Sequence, residues 1–492
     1  MPLNPENAWS PLPAEAWSRD HARHLASRLG FSLRPDWVDQ IHRAGARRTV
    51  KQAFGQVRSM PVPPALEAVR EDTLDRLRAP RADRQAMNTP EMRRQRRQVQ
   101  RDAFNRFGLD WLAFAREPGQ AAQEKRVLVF QNIWAVSVRG VNNPYVLFDH
   151  QRRIREGLTG SYLDFCRSLA RSPAMALYLD LHRSRRGAPN ENFARELFEL
   201  FTLGEGRYTE TDVKEAARAL TGYRLDRRGG LRLVPHLHDF GPHTILLDTG
   251  SHDLDSLIDL IFEQPAAARF LPRALCRAYL SHEDLPDRLI DPLADAWRNE
   301  GFSIPWLCET LFTSQLFYEP VYRGQLIKDP VHYMLGMLQD LDLDVLPLPG
   351  RSLTQLRLMG MPFYQPPNVR GWVGGRQWIN SATIAARRQF AASLFMPVDV
   401  ERLNADDQQA LATARAAGRD TFTLTAEQLD AFTAWEDQRL AHSLAERFYV
   451  DGDPAFLATL LSGINNDRPD VARREAAGFL VAALTAPAYH LC

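Results

Sequence analysis

The chain has 492 residues, of which 45% are hydrophobic, 25% charged and 10% aromatic. These fractions are typical of folded globular proteins and exclude a chain that is mostly disordered, collagen-like or coiled-coil. Lys and Arg number 61 and Asp and Glu number 60, so the net charge of +1 gives no general reason to expect nucleic acid or an anionic membrane as a partner.

Cysteine usage and the N-terminal residues indicate the compartment. The four cysteines, Cys166, Cys276, Cys308 and Cys492, lie far apart without a CxxC motif, which favours neither a zinc ribbon nor a disulfide framework. The N-terminus lacks the basic and apolar regions of a signal peptide, and no stretch reaches the ~18 apolar residues of a membrane span. The sequence as written therefore predicts a cytoplasmic protein.

The spacing of apolar residues predicts a mainly α, multi-helical globular protein with a small irregular or hairpin insertion near 224–253. Four regions are expected in chain order. They are a flexible N-terminal arm (1–16), a helical N-terminal region (17–120), a central helical core that holds the candidate site (121–345), and a C-terminal helical region packed on that core (346–492).

The first group of candidate residues lies on a helix that begins near Pro189. Glu191 and Arg195, and Arg195 and Glu199, are spaced four residues apart and fall on one face. This face is either solvated or part of a site, and the amides and carboxylate at its start favour specific hydrogen bonding. The candidates are Asn190, Glu191, Asn192, Arg195, Glu196 and Glu199.

The second group lies on the next predicted helix. Thr209 is placed to cap this helix and Asp212 to complete a capping box, while Glu215 and Arg218 share its polar face. The link between the helices is short, so 190–204 and 209–222 are predicted to form an antiparallel hairpin. Arg195 is expected to pair with a carboxylate outside its own helix as well as within it.

The third group is a histidine cluster in the predicted insertion. If 234–239 is extended, His236 and His238 point the same way and Asp239 points the opposite way. Three interpretations stay open: a divalent metal site that uses His236, His238 and Asp239, an acid/base or anion-binding role for His238, and structural hydrogen bonding. In the second interpretation, a His238 nitrogen should reach Glu196, Glu199 or Glu215.

Motifs for other chemistry are missing. The sequence contains no GxSxG, GxxxxGK[ST], GxGxxG after a strand, or HExxH, so no nucleotide cofactor is expected. The segment QPPNVRGWVGG at 365–375 predicts a rigid turn that presents Asn368, Arg370 and Trp372. These side chains either line a pocket or fasten the C-terminal helices to the core, and the second role is favoured.

Four ordered motifs resemble a large bacterial family known as domain of unknown function 1800: NENFARELFELFTLG, YTETDVKEAARALTGY, HDFGPHTILLDTG and PPNVRGWVGGRQWINSATIAARRQF. The resemblance implies a mainly helical fold. Many relatives look exported, and they are often encoded beside a companion that is similar to sulfatases and alkaline phosphatases. The residues of this chain that match the family's motifs are Asn190, Glu191, Asn192, Arg195, Glu196, Glu199, Glu215, Arg218, His238 and Asp239.

The chain departs from the family pattern at two positions. Ile133 stands where the family commonly has histidine, and His243 stands where relatives often have lysine. If the family histidine is a ligand or a base, its loss at Ile133 weakens or abolishes activity in this member.

Two functional hypotheses follow. The first is acid/base or metal-assisted hydrolysis of an anionic or carbohydrate-like substrate. Its catalytic residues would be Glu196, Glu199 and His238, and its substrate-binding residues Asn190, Glu191, Asn192, Arg195, Glu215 and Arg218. The second is a non-enzymatic helical scaffold that partners the sulfatase-like or phosphatase-like companion, in which the same charges fix helix packing. Neither hypothesis involves nucleic acid or a membrane.

Overall fold

The computed structural model describes residues 7–55, 57–80, 83, 88–226, 229–425, 427–429, 437–462 and 469–492. The fold is mainly α, as the sequence predicts. The helices of the first third of the chain are α1 (Arg19–Leu29), α2 (Pro35–Ala44), α3 (Ala46–Phe54), α4 (Pro64–Arg78), α5 (Pro90–Arg116), α6 (Pro118–Ile133), α7 (Val138–Val141) and α8 (Pro144–Gly157).

The central helices include the predicted hairpin. They are α9 (Tyr162–Ala170), α10 (Pro173–Tyr178), α11 (Asn192–Glu196), which continues as a π-helix (Leu197–Thr202), α12 (Glu210–Ala219), α13 (Leu254–Glu263), α14 (Pro265–Tyr279), α15 (Asp287–Asn299) and α16 (Ile304–Thr313).

The last third of the chain is helical as well. Its helices are α17 (Pro330–Asp340), α18 (Pro349–Leu358), α19 (Ser381–Ser393), α20 (Ala405–Ala416), α21 (Asp437–Phe448), α22 (Ala455–Leu461) and α23 (Pro469–Leu484). Short 3-10 helices lie at Ala14–Ala16, Leu181–Arg183, Pro235–Leu237, Leu316–Tyr318, Pro320–Tyr322, Gly375–Trp378 and Pro487–His490.

Two small antiparallel hairpins form the insertion predicted near 224–253. Strand β1 (Tyr223–Leu225) pairs with β2 (Leu231–Leu233), and β3 (His243–Ile245) pairs with β4 (Asp248–Gly250). Strand β3 lies against α12, so the insertion covers one side of the helical hairpin.

Residue types at the helix ends explain where the helices begin. Side chains of Asn143, Ser303 and Asn380 cap α8, α16 and α19 by accepting backbone N–H groups. The Thr209 hydroxyl accepts the N–H of Asp212, whose carboxylate accepts the N–H of Thr209. The predicted capping box at the start of α12 is therefore confirmed.

One continuous hydrophobic core runs from Ala8 to Tyr489 and joins all the predicted regions. The N-terminal arm belongs to it in part. Residues 1–6 lie outside the described residues, but the N–H of Leu12 donates to the carbonyl of Thr313 at 2.8 Å, and Ala8 is fully buried. The described part of the arm is thus fastened to the core and does not fit the expectation of a flexible segment.

A buried ion pair lies inside this core. Arg155 on α8 donates two hydrogen bonds to Glu124 on α6, at 2.8 and 2.7 Å, and the indole N–H of Trp111 donates to the same carboxylate at 2.9 Å. Both charged side chains are at most 1% exposed. Helices α5, α6 and α8 therefore meet around a paired and hydrogen-bonded charge.

In the part of the chain that the structure describes, no helix combines the length and the apolar composition that crossing a lipid bilayer requires.

Candidate functional site

The predicted helical hairpin is present, and its polar face is held by ion pairs. Helices α11 and α12 contact each other. Arg195 donates to both oxygens of Glu210 at 2.7 and 2.8 Å and to Glu191 at 3.2 Å. The expectation that Arg195 pairs both outside and within its own helix is confirmed. Its side chain is 33% exposed and that of Glu210 is 68% exposed, so this is a surface pair.

The helix from 192 does not stay α-helical. From Leu197 to Thr202 it widens into a π-helix, in which the N–H of Leu203 donates to the carbonyl of Phe198, five residues earlier. The ring of Phe201 stacks on Trp134 at 4.3 Å, which anchors the wide turn in the core. Sequence periodicity missed this feature because the prediction assumed an α-helical step throughout.

The π-helix places Glu199 away from Arg195, which was its expected partner. Glu199 accepts a hydrogen bond from the Tyr208 hydroxyl at 2.8 Å and another from Arg370 at 2.5 Å. Arg370 also contacts Glu205 at 2.7 Å. The Glu199 side chain is 17% exposed, so it is a largely enclosed carboxylate that two side chains hold in position.

The residues at the start of α11 form the turn that leads into this helix. The Asn190 N–H donates to the Ser184 hydroxyl at 3.1 Å, and the Asn190 side chain accepts the N–H of Asn192 at 3.0 Å. These contacts give Asn190 a structural role in the turn, although it was predicted to bind substrate. The side chain of Asn192 is exposed.

The predicted residues of α12 form a second set of ion pairs. Arg218 donates to Glu215 at 2.6 Å and to Asp239 at 3.0 Å. Asp239 also accepts the N–H of Gly241 at 3.0 Å, and these contacts together lower the pKa of the Asp239 carboxyl. Asp239 therefore anchors its loop to α12. We call these contacts and those of Arg195 the hairpin ion pairs.

His238 does not reach an acid, contrary to the acid/base prediction. Its Nδ1 lies 2.8 Å from the carbonyl oxygen of Thr221, its side chain is buried, and its ring packs edge-on to Phe240 at 4.5 Å. The reason is local geometry. Pro235–Leu237 forms a 3-10 helix where an extended strand was assumed, so His236 is exposed while His238 turns inward.

The three predicted metal ligands consequently diverge. His236 is exposed, His238 faces a backbone carbonyl, and Asp239 binds Arg218. Among the residues that the structure describes, no group of three or more His, Cys, Asp or Glu side chains is arranged to hold a metal ion.

A pocket of about 870 Å³ opens beside Glu199. We call it the central pocket. It lies between the end of α6, the π-helix, α14, the start of α17 and the 365–375 turn. Its charged and histidine lining residues are Arg28, Lys125, Glu199, Glu205, Arg207, Arg269, Arg273, Arg277, His282, Asp284, Asp329, His332 and Arg370.

Helix α14 lines the pocket with one face. Arg269, Arg273 and Arg277 follow each other at intervals of four residues, and such a spacing places them along one side of a helix. Each contacts an aspartate: Arg269 binds Asp291, Arg273 binds Asp287 and Arg277 binds Asp284. The arginines are thereby held in position along the pocket wall.

The 365–375 turn both lines the pocket and fastens the fold. The Asn132 side chain accepts the N–H of Trp372 at 2.7 Å and donates to its carbonyl at 3.0 Å, which ties the turn to α6. Arg370 and Trp372 line the pocket, as does Ile133. The two roles that the sequence left open are thus combined.

Of the predicted site residues, Glu199 lines the central pocket, whereas the hairpin ion pairs and His238 lie elsewhere. Glu196 is partly buried and does not line the pocket. Burial raises the pKa of the Glu196 carboxyl, and the nearby charge of Glu199 adds to this effect. Sequence reasoning missed Lys125, Asp329 and His332 because Lys125 and His332 lie in ordinary helical stretches and Asp329 reads as the cap of α17.

A larger groove, of about 1590 Å³, lies between the N-terminal residues, α3 and α16. Trp9, Trp17 and Trp306 line it together with basic residues of α3. Arg47 and Lys51 both approach Glu309, at 2.6 and 3.7 Å. None of the predicted site residues lines this groove.

Comparison with known proteins gives a single assignment. No curated protein and no solved structure matches the chain. Residues 24–491 match the model of a family described as "Protein of unknown function (DUF1800)", which covers nearly the whole chain. The four motifs, the helical fold and this match lead to one conclusion: the chain belongs to the DUF1800 family.

Proposed function

We propose that the central pocket binds an anionic, carbohydrate-like substrate and that Glu199 is the acid/base of its hydrolysis. The observation that carries this proposal is the position of Glu199. Its carboxylate lies on the pocket wall and is held between the Tyr208 hydroxyl and Arg370. A carboxylate that is fixed in orientation at a pocket surface is suited to moving a proton to or from a bound water molecule.

The charge of the lining supports an anionic substrate. Seven Arg and Lys side chains line the pocket, against four Asp and Glu side chains. Guanidinium groups bind carboxylate, sulfate and phosphate oxygens with two parallel hydrogen bonds. Arg207 at the rim is exposed, and the three arginines of α14, each paired with an aspartate, form a row of guanidinium donors along the wall.

The aromatic lining supports a ring-shaped substrate. Trp372, Trp378 and Phe270 contribute apolar surface, and such surface is typical of sites that enclose small molecules. The indole N–H of Trp372 is buried and has no acceptor among the described residues. A substrate oxygen would satisfy this donor, which favours a polar ring such as a sugar over a hydrocarbon.

In this proposal each residue has one role. The arginines hold the anionic group and stabilise negative charge that develops on the leaving group. Glu199 takes a proton from water as the water attacks, and Tyr208 with Arg370 keeps the carboxylate oriented. His238, which was predicted as the proton carrier, has no part in this scheme because it lies bonded to Thr221.

A substrate panel tests the proposal. The full chain is assayed with 4-nitrophenyl glucuronide, 4-nitrophenyl sulfate and 4-nitrophenyl phosphate, and release of nitrophenolate is measured. Glu199→Gln should lose about 100-fold or more of any activity found, since general acid/base catalysis contributes that much. The matched control, Glu215→Gln, changes a carboxylate that belongs to the hairpin ion pairs and should keep it. Equal loss in both variants, or activity that survives Glu199→Gln, would contradict the role of Glu199.

A second function is favoured by the hairpin ion pairs. The residues predicted to bind substrate on α11 and α12 are paired with each other, which suits a scaffold. We propose as the alternative that the chain partners the sulfatase-like or phosphatase-like companion without catalysis. Binding of the purified companion by a chain that hydrolyses none of the panel would favour this alternative.

A further inference from the structure

Lys125 is an unusual lysine in this chain. The sequence has 61 basic residues, but only Lys51, Lys125, Lys214 and Lys328 are lysines. The Lys125 side chain is on α6, is only 7% exposed, and lines the central pocket. Buried lysines in proteins are usually paired with a carboxylate, so the partners of this one matter.

The partners of Lys125 are two backbone carbonyls. Its Nζ donates to the oxygen of Ser27 at 2.9 Å and to that of Gly30 at 2.7 Å. Within the described chain it forms no salt bridge. An ammonium group has three N–H donors and an amine has two. The two carbonyls accept N–H groups in either protonation state, and Nζ also lies 6.0 Å from the centre of the Phe31 ring. Among the described residues no carboxylate lies in ion-pair contact with Nζ to hold it as an ammonium.

Burial favours the neutral amine, and the surrounding charges are divided. Burial lowers the pKa of Lys125 to about 8, and the positive charges of Arg28 and Lys328 contribute to this shift. Asp329 and Cys492 oppose it. His332 also faces this group, and burial lowers its pKa, with the charge of Lys125 adding to the effect. A sizeable fraction of Lys125 is consequently neutral at slightly alkaline pH.

We propose that Lys125 is a nucleophilic amine of the central pocket and forms an imine with an anionic aldehyde or ketone. This inference shares the pocket of the proposed function but not its chemistry, and it does not depend on hydrolysis by Glu199. The geometry that carries it is a buried Nζ at the wall of a pocket rich in arginine, held by two backbone carbonyls and by no carboxylate of the described residues.

The reaction balances without an added oxidant or reductant. The Nζ lone pair attacks the carbonyl carbon, a C–N bond forms, and the C=O π electrons move to oxygen, which takes a proton. The nitrogen loses a proton, and the protonated hydroxyl leaves as water when C=N forms. Asp329 lines the same pocket, and burial raises the pKa of its carboxyl, so it is placed to give the proton that the leaving oxygen needs.

Pyridoxal 5′-phosphate, an anionic aldehyde, is the probe for this inference. The full chain is treated with the probe, the imine is reduced with borohydride, and peptides are analysed by mass spectrometry. Lys125 should be labelled at least about tenfold faster than the other lysines near pH 8, because much more of it is a neutral amine. The labelling rate should rise with a midpoint near pH 8.

The other lysines are internal controls. Lys51 and Lys214 are exposed, and Lys328 is buried away from the pocket lining. Labelling of Lys125 no faster than of Lys51 and Lys214, or only after denaturation, would overturn the inference. Lys125→Met should abolish that label, and circular dichroism confirms that this variant is folded. If the variant is not folded, a competition experiment on the unchanged chain replaces this test. Inorganic phosphate should then slow the labelling of Lys125 by the probe, and an unchanged labelling rate would overturn the anionic site.

Pyridoxal without the phosphate tests the substrate class. The arginine-rich lining should favour the phosphorylated probe several-fold. Equal labelling of Lys125 by both probes would overturn the anionic part of the inference. Because labelling is read without any hydrolysis, a chain that hydrolyses none of the nitrophenyl substrates still gives a clear result here.

Discussion

Two arginine–carboxylate pairs show how differently the same chemistry is used in this fold. The Arg195–Glu210 pair lies on the predicted hairpin, with side chains 33% and 68% exposed. The Arg155–Glu124 pair lies inside the core, with side chains 1% and 0% exposed. The first stands in a recognisable motif, while the second is in a stretch that looks like ordinary core. Burial decides which of them the fold depends on.

The largest effect is expected at the buried pair. Arg155→Met leaves the Glu124 carboxylate buried with no countercharge and should lower the free energy of unfolding by about 3–5 kcal/mol. Urea denaturation followed by circular dichroism measures this. Replacing both residues, as Arg155→Met with Glu124→Leu, should recover much of the loss because no unpaired charge remains. If the double variant is as unstable as the single one, packing rather than charge explains the result.

The second largest effect is a loss of folding stability at acidic pH, and it comes from His150. His150 is fully buried, with Nε2 2.9 Å from the Trp134 carbonyl and Nδ1 3.2 Å from the Ser172 hydroxyl. Burial lowers its pKa from 6.5 to about 4. The unfolded chain therefore binds a proton below pH 6.5 that the folded chain does not bind until about pH 4. Stability should fall between these values, by about 3 kcal/mol from this residue.

Thermal unfolding measured from pH 7 to pH 4 checks this prediction. His150→Gln should make the decline less steep. The matched control is His236→Gln, which removes an exposed imidazole and should leave the decline unchanged. An unchanged pH profile in His150→Gln would show that other groups cause the acid sensitivity.

The sequence predicted the fold class, the hairpin, the capping box and the insertion, because these depend on local periodicity and on turn and cap residues. It made Glu199 a candidate because of its spacing from Arg195, whereas in the structure Glu199 is a candidate because it lies on the pocket wall. The π-helix at 197–202 depends on how Phe201 packs on Trp134, and that contact joins distant segments. No single-sequence pattern encodes it.

For the histidine cluster, the local sequence gave a wrong prediction. Its residues are close in sequence, but one 3-10 turn at Pro235–Leu237 directs His236 and His238 apart. The prediction failed because it assumed an extended backbone, for which side chains alternate. The lining of the central pocket comes from separate segments spread between Arg28 and Cys492, so few of its residues gave a local signal of it.

A third prediction tests the turn that lines the pocket. Gly371 has φ +76°, and a Cβ there would lie 2.3 Å from the Asn132 side-chain oxygen. Gly204 has φ +88°, with nothing within 4 Å of its Cβ position. Both Ala variants are strained by about 1 kcal/mol or more, because the left-handed backbone disfavours a side chain. Gly371→Ala should lose clearly more stability than Gly204→Ala, since it also breaks the Asn132 clamp.

Thermal shift measurements on the two glycine variants give this difference directly. Because the Asn132 clamp holds Trp372 on the pocket wall, Gly371→Ala should also weaken labelling of Lys125 by pyridoxal 5′-phosphate. Equal stability loss in the two variants would show that the backbone at 371 moves away from Asn132 without cost.

The smallest loss of stability is expected at Arg195, although it stands in one of the most conspicuous motifs of the sequence. Arg195→Ala removes two hydrogen bonds to Glu210 and one to Glu191, yet both carboxylates stay in contact with water. Surface ion pairs contribute little because water and salt screen them and because ordering long side chains costs entropy. The loss of stability should be several times smaller than that of Arg155→Met, and it should shrink further in 0.5 M salt. A loss as large as that of the buried pair would mean that the hairpin face is covered in solution, which is the arrangement that the scaffold alternative requires.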